Sequence, residues 1–135
     1  MVRIPSREEV QKAVWACDPD KAPGYDRYHM GFIRKMWDVI GGEFTNSVLE
    51  FFRTSRLPQA LNTTLITLIP KVEEVEEVHQ FRPINLVGCI YKVISKIMAQ
   101  ELKQVVSNLV SDSQAAFIKG RSILDRALIA NEMVQ

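Results

Sequence analysis

The sequence predicts an α+β fold that is mostly helical, with long helices around one small two-stranded antiparallel hairpin. Over most of the chain, apolar residues recur every three or four positions, which is the period of an amphipathic helix. One central segment is β-branched instead, and a second strand-like segment follows it after an acidic loop. The 135 residues are 47% hydrophobic and carry a formal net charge of +1. This composition excludes a disordered chain and fits one compact core.

The first helix is predicted over residues Arg7–Ala16. Ser6 and Glu9 form a Ser-x-x-Glu pattern, in which the serine hydroxyl accepts from the Glu9 amide and the glutamate accepts from the Ser6 amide. Pro19 discourages continuation of the helix. The apolar set at helical spacing is Val10, Ala13 and Val14, extended by Trp15 and Ala16.

Residues 17–28 are predicted to form a loop, because they hold two prolines, one glycine and three aspartates. A helical region follows from about His29 to Thr54, and Pro58 closes it. Two interpretations of this region stay open: one long helix, or two helices separated at the Gly41–Gly42 pair, since adjacent glycines lower helix stability. Its apolar set is Phe32, Ile33, Met36, Trp37, Ile40, Phe44, Val48, Leu49 and Phe52.

Two strands are predicted in the middle of the chain. Residues Thr63–Ile69 are β-branched and contain no glycine or proline, which predicts a well-buried strand ending at Pro70. Residues Phe81–Val87 form the second strand, placed at a sheet edge because Pro83 cannot donate a ladder hydrogen bond. The intervening residues 72–79 hold four glutamates and predict an exposed loop or a single exposed turn. We expect the two strands to pair as a hairpin across this loop.

The last third of the chain is predicted to be mostly helical. A strongly amphipathic helix runs from about Ile90 to about Asn108, residues 111–121 are turn-like, and Ser122 begins a final helix. Neither a repeat nor a domain boundary is visible, so residues 1–135 are interpreted as a single partial domain. The apolar face of the first of these helices is formed by Ile90, Val93, Ile94, Ile97, Met98, Leu102 and Val105, and Lys92, Lys96, Gln100 and Lys103 lie away from it.

Cysteines and histidines are too few and too dispersed for a disulfide framework or a zinc site. Cys17 and Cys89 are interpreted as unmodified thiols in a reducing compartment. The N-terminus lacks the apolar region of a secretory signal, and no run of about 18 uncharged apolar residues predicts a membrane span. The sequence therefore predicts an intracellular protein without membrane contact, and it does not distinguish nucleus from cytoplasm.

Four short motifs occur in order along the chain: DKAPGYD at Asp20–Asp26, LIPK at Leu68–Lys71, FRPINL at Phe81–Leu86 and QAAFIKGRS at Gln114–Ser122. Together they make the chain resemble the N-terminal, fingers-side part of the reverse transcriptases of non-LTR (LINE-type) retrotransposons, most closely those of plant genomes. The helical segments 91–99 and 129–132 are similar to that family as well. The resemblance covers nearly the whole chain and implies the fingers portion of the reverse transcriptase fold.

The resemblance implies that four cations contact nucleic acid. Lys71 and Arg82 would lie on one face of the hairpin, at the triphosphate or the template backbone, and Lys119 and Arg121 would lie beside the template strand. A lysine binds phosphate as a point charge, whereas an arginine can chelate two oxygens. An RNA or DNA template, weakly bound, is therefore the expected partner.

The residues alone leave a second interpretation of these cations open. Lys71 and Arg82 would then form surface ion pairs with glutamates of the acidic loop, which are common and contribute little to stability. The Lys119–Ser122 segment would be an ordinary turn with Ser122 as the N-cap of the last helix.

The first motif departs from the family. After the Pro-Gly pair the family continues with Pro-Asp-Gly, whereas this chain has Tyr25, Asp26 and Arg27. Tyr25 lacks the fixed φ of proline, and Arg27 replaces a residue that adopts a positive φ without cost. We therefore expect a reshaped or looser loop, in which Lys21 and Asp26 are not assigned a role.

The function implied by the resemblance is that of a fragment of an RNA-directed DNA polymerase that is not catalytically competent alone. Polymerisation needs two metal ions held by aspartates. In the family these aspartates belong to palm strands C-terminal to the segments present here, and Mg²⁺ would belong to that palm. No catalytic residue, metal or cofactor is assigned to this chain.

Charge is distributed unevenly along the chain. Residues 80–135 carry a net charge of +3 and residues 1–79 carry −2, which gives modest support to nucleic-acid contact by the C-terminal part. The alternative function is that of a non-catalytic product of a decayed element, acting as a protein-interaction or self-associating helical domain. Its contact surface would be the apolar face that a palm normally covers.

Overall fold

The computed structural model describes residues 3–111, and this part of the chain confirms the predicted α+β class with its two-stranded hairpin. The chain divides into two compact units, Met1–Ile97 and Met98–Gln135, and the hydrophobic core and the hairpin both belong to the first. The predicted turn over residues 111–121 and the final helix fall, except for Ser111, outside the described residues. The elements are α1 (Arg7–Ala16), α2 (Met30–Lys35), α3 (Trp37–Thr54), β1 (Thr64–Pro70), a 3-10 turn (Val78–Gln80), β2 (Phe81–Val87) and α4 (Cys89–Leu109).

Helix α1 begins where its capping residues predict. The Ser6 Oγ accepts from the Glu9 amide at 3.2 Å, and Glu9 Oε2 accepts from the Ser6 amide at 2.7 Å. The Arg3 guanidinium also donates to Glu9 Oε1 at 2.6 Å and, together with the Ser6 amide, holds the pKa of Glu9 below its usual value. These contacts satisfy amides that have no partner inside the helix, so the start of α1 is encoded locally.

The long helical region is divided at Met36, between α2 and α3, so both open interpretations, one long helix and a break at the Gly41–Gly42 pair, are wrong. Gly41 is buried inside α3. A Cβ atom at this position would lie 2.8 Å from Cδ2 of the Trp37 indole. The missing side chain therefore makes room for Trp37 against its own helix, and this packing outweighs the low helix propensity of glycine.

The core lies between α1, α2, α3 and the first half of α4. Its aromatic side is closed by Trp15 and Trp37, whose rings meet edge to face with centroids 5.2 Å apart. This packing holds the helices that carry the loops described below. The buried cluster consists of Val10, Ala13, Val14, Met30, Ile33, Phe44, Val48, Leu49, Phe52, Cys89, Val93, Ile94 and Ile97.

A side chain of α2 holds the C-terminal end of α1. The Arg34 guanidinium donates to the carbonyls of Val14 at 3.3 Å and Trp15 at 2.9 Å, and also to that of Cys17. The last carbonyls of a helix lack intrahelical partners and carry partial negative charge, so a cation there is favourable. Since α1 has no basic residue in its own last turn, Arg34 supplies this charge from a neighbouring helix.

The predicted hairpin is present. Strands β1 and β2 pair antiparallel, with Thr64 opposite Val87 and Pro70 opposite Phe81. However, the prediction that the first strand is well buried is wrong, because all seven residues of β1 are exposed. Apolar residues occupy both faces of β1. Within residues 3–111 this strand pairs with β2 alone, so its apolar sequence does not lead to burial. None of the helices in this range is long and apolar enough to cross a membrane.

The contact between Arg34 and the end of α1 predicts a measurable loss of stability. We expect Arg34→Ala to lower the free energy of unfolding by about 2 kcal/mol, because it leaves part-buried carbonyls without a charged donor. Arg34→Lys should recover only part of this loss, since an ammonium group cannot span three carbonyls. Urea unfolding followed by circular dichroism measures both variants.

The neighbouring Lys35 provides the control, because it is exposed and its side chain makes no hydrogen bond within the described part of the chain. Lys35→Ala should change the free energy of unfolding by less than about 0.5 kcal/mol. Equal stability of Arg34→Ala and Lys35→Ala would contradict the assigned role of Arg34.

Candidate nucleic-acid interface

Lys71 and Arg82 lie on the same face of the hairpin. The ladder continues one residue past β1, because the Lys71 amide donates to the carbonyl of Gln80, directly opposite, at 2.8 Å. Arg82 lies opposite Ile69, two residues before Lys71. Alternate residues of a strand, together with the residues opposite them, share one face of a sheet. The structure therefore brings the two predicted cations together, while their role in binding stays a prediction.

Ion pairs with the acidic loop do not occupy these cations. Lys71 Nζ donates to the His79 carbonyl at 2.7 Å, and the exposed Arg82 side chain forms no hydrogen bond or ion pair in the described range. The loop glutamate Glu77 instead contacts His79, with 2.8 Å between Oε2 and Nδ1. The interpretation of Lys71 and Arg82 as partners of loop glutamates is therefore not what the structure contains. The other two predicted cations, Lys119 and Arg121, lie outside the described residues.

The DKAPGYD motif packs against the junction between β2 and α4. A Cβ atom at Gly24 would lie 2.3 Å from the Val87 carbonyl carbon and 2.5 Å from the Gly88 nitrogen, so the two backbones touch. Lys92 Nζ, from the first turn of α4, donates to the Ala22 carbonyl at 2.8 Å. The motif therefore fixes the start of the helix that follows the hairpin.

Asp26 caps α4 from a distant part of the chain. Its Oδ2 accepts from the Cys89 amide at 2.6 Å, and a Cβ atom on Gly88 would lie only 2.9 Å from the same oxygen. A carboxylate at this position satisfies a free amide and complements the positive end of the helix dipole. Asp26 is thus a positioning residue that sequence reasoning missed. The sequence feature that could have indicated this role is Gly88, which directly precedes α4 and has no side chain with which to cap the helix.

Arg27 adopts a left-handed backbone conformation, with a φ of 60°. Its amide donates to the Gly24 carbonyl at 3.0 Å, which closes a tight turn within the motif. A glycine adopts this conformation without steric cost, whereas an arginine does not. The loop therefore keeps the shape that a glycine would favour, although this chain has a larger residue there.

Beside this junction lies a largely apolar cavity of about 270 Å³. Cys89, only 2% exposed, lines it and donates its thiol hydrogen to the Tyr28 carbonyl at 3.2 Å. Burial, and to a smaller extent the Asp26 charge, raises the pKa of Cys89 to about 12. The cavity therefore offers an apolar wall and an unreactive thiol. Residues 3–111 also contain no group of three or more His, Cys, Asp or Glu that would hold a metal ion.

Comparison with known proteins gives one informative similarity. No protein-family model matches the chain. The chain is 25% identical over 127 residues to the Transposon TX1 uncharacterized 149 kDa protein of Xenopus laevis. The matched region is 94% of this chain and 10% of that relative, so the chain spans about a tenth of the relative's length. This similarity supports a transposon-related origin.

The left-handed conformation of Arg27 predicts a stabilising substitution. We expect Arg27→Gly to raise the free energy of unfolding by about 0.5–1 kcal/mol, because relief of backbone strain exceeds the extra entropy of glycine in the unfolded chain. Urea unfolding monitored by tryptophan fluorescence measures the change.

The matched control is Arg56→Gly, the same exchange at an exposed position that does not have a positive φ. Without strain to relieve, this variant should be no more stable than the original chain. If Arg27→Gly also failed to gain stability, the left-handed conformation of Arg27 would carry no strain.

Proposed function

We propose that the chain is a fingers-side part of the reverse transcriptase of a non-LTR retrotransposon. In this function, Lys71 and Arg82 contact phosphates of the template or of the incoming nucleotide. The observation that carries the proposal is the Arg82 guanidinium, which is exposed and unpaired within residues 3–111 and lies on the same hairpin face as Lys71. The similarity to a transposon-encoded protein supports the same origin.

The two side chains have the donors that this role needs. The Arg82 guanidinium presents a planar fork that fits two phosphate oxygens. Lys71 uses one of its three N–H groups for the His79 carbonyl and keeps two for a ligand. Because phosphates are the same in every nucleotide, such contacts position a strand without reading its sequence.

The proposed role of this chain is contact with nucleic acid, not phosphoryl transfer. In the family it resembles, the aspartates that hold Mg²⁺ belong to the palm. No residue of this chain is therefore proposed to be catalytic. RNA and DNA templates share the phosphate groups that Lys71 and Arg82 would contact, so we expect both polymers to bind.

Removal of the Arg82 charge should weaken binding of single-stranded nucleic acid. We expect Arg82→Gln to raise the Kd for a fluorescein-labelled single-stranded RNA about fivefold at about 0.1 M salt. The slope of the logarithm of the association constant against the logarithm of the salt concentration should become less steep by about 1. Arg82→Lys should recover part of the affinity, since it keeps the charge and loses the fork. Fluorescence anisotropy over a range of salt concentrations, with RNA and DNA of one sequence, measures these values.

Arg56→Gln is the control for total charge, because Arg56 is exposed and its side chain is free of hydrogen bonds in the described range. It should bind nearly as tightly as the original chain. Binding that does not depend on salt, or an Arg82→Gln variant that matches Arg56→Gln, would overturn the proposed contacts.

A second candidate function is self-association through the exposed hairpin, and the geometry of β1 favours it. Since Lys71 and Gln80 form a hydrogen-bonded pair, the alternation of the ladder directs the amides of Thr64, Ile66 and Leu68 to the outer edge. This strand carries no charge, and Ile66 and Leu68 are 65% and 52% exposed. Unprotected edges of this kind pair readily with another strand.

The partner that fits this edge is a second copy of β1 in antiparallel orientation. That orientation places the two acidic loops, residues 72–79, at opposite ends of the joined sheet, whereas a parallel orientation would bring their glutamates together. The outer edge of β2 is the poorer site, because Pro83 lacks an amide there.

Self-association predicts that the sedimentation coefficient rises with protein concentration. Ile66→Lys should keep the chain monomeric over the same range, because a charge on the edge strand opposes pairing with a second copy. Val39→Lys, on the outer face of α3 where Val39 is 73% exposed, is the control and should behave like the original chain. A chain that sediments as a monomer at every concentration would exclude this second function.

A further inference from the structure

We propose a second phosphodiester-binding surface, formed where the loop after α1 meets α4. It consists of Lys21, Arg34, Lys92 and Lys96 and is called the loop–helix patch below. Its ligand is the backbone of single-stranded RNA or DNA. The inference rests on the proposed function, because it assumes the same nucleic-acid ligand. The residues and the surface are different from those of the hairpin.

The fold brings these four residues together from distant parts of the sequence. Lys92 donates to the Ala22 carbonyl, which places the first turns of α4 against the loop next to Lys21. Arg34 reaches the other end of that loop through the Cys17 carbonyl. All four cations lie close enough to Cys17 to lower the pKa of its thiol, against a larger increase caused by burial. Their charges therefore converge on one region of the surface.

Helix α4 presents its two lysines as a pair. Lys92 and Lys96 are four residues apart and so lie on one side of the helix, one turn from each other. The intervening and flanking residues Val93, Ile94 and Ile97 are buried in the core, which fixes the rotation of the helix. Because the helix cannot rotate, Lys92 and Lys96 stay on the side of α4 that lies beside the loop.

The positive charges of the patch are only partly balanced by the adjacent loop. Within the described range, none of its four cations forms an ion pair with an acidic side chain. The same loop contains Asp18, Asp20 and Asp26, of which Asp18 Oδ1 accepts from the Asp20 amide at 3.0 Å and Asp26 Oδ2 accepts from the Cys89 amide at 2.6 Å. Four positive charges against these three aspartates leave an excess of one. Like charges gathered on one surface repel each other, and a polyanion relieves that repulsion.

The free donors of the patch fit a phosphate backbone. The side chains of Lys21 and Lys96 make no hydrogen bond within residues 3–111, and Lys92 uses one of its three N–H groups. The Arg34 guanidinium is occupied by three carbonyls and contributes charge rather than contacts. Flexible ammonium groups bind phosphate as point charges and carry no base specificity, so they suit a strand of any sequence.

The test removes the two free lysines and leaves the two structural cations in place. Lys21→Gln/Lys96→Gln should raise the Kd for labelled single-stranded RNA or DNA about tenfold at about 0.1 M salt, and should lower the salt slope by about 1 to 2. Its urea midpoint should equal that of the original chain, because neither side chain makes a bond that holds the fold. Parallel titrations with RNA and DNA of one sequence identify the preferred backbone.

The matched control is Lys12→Gln/Arg53→Gln, which removes the same charge from exposed positions on α1 and α3. It should change the Kd by no more than about twofold. Equal affinities of the two double variants for both RNA and DNA would overturn the loop–helix patch, and the Arg82→Gln titration would still decide the hairpin contacts. An original chain that binds neither polymer would overturn both proposals.

Discussion

The hydrogen bond from the Cys89 amide to Asp26 is the constraint on which the candidate interface depends. It joins the motif loop to the first turn of α4, and the strand β2 ends only two residues earlier, at Val87. The close approach of Gly24 to the Val87–Gly88 backbone acts at the same place. One small region therefore sets the starting point of α4 and holds the base of the hairpin that carries Lys71 and Arg82.

The features that the sequence predicted well are those set by neighbouring residues. Ser6 and Glu9 cap the start of α1 within one turn and Pro19 follows its end, so both predicted ends of that helix were correct. The predicted interval Phe81–Val87 also matched β2, with Pro83 as the local signal for an edge position. Exposure of β1 was not predictable in this way. An apolar run indicates a strand, whereas burial depends on what else packs against it.

The missed features all involve residues far apart in the chain. One of the two open interpretations placed a helix break at the Gly41–Gly42 pair, whereas Gly41 packs against Trp37 inside α3. Asp26 was not assigned a role, since its motif departs from the expected pattern at Tyr25 and Arg27, and its partner amide lies 63 residues further along the chain. The loop–helix patch combines Lys21 and Arg34 from the N-terminal part, which has a net negative charge, with two lysines of α4. An average over a segment conceals such a surface, since charge acts through space and not along the chain.

The long separation between Asp26 and Cys89 has a consequence for how the chain folds. Helices α1 to α3 pack through contacts that are mostly nearby in sequence, and these form at small entropic cost. The start of α4 becomes fixed only when a loop of about 60 residues has closed, and the entropy of that closure opposes the step. The two strands of the hairpin are close in sequence, so their pairing does not require this closure, which instead fixes where the base of the hairpin lies relative to the motif loop.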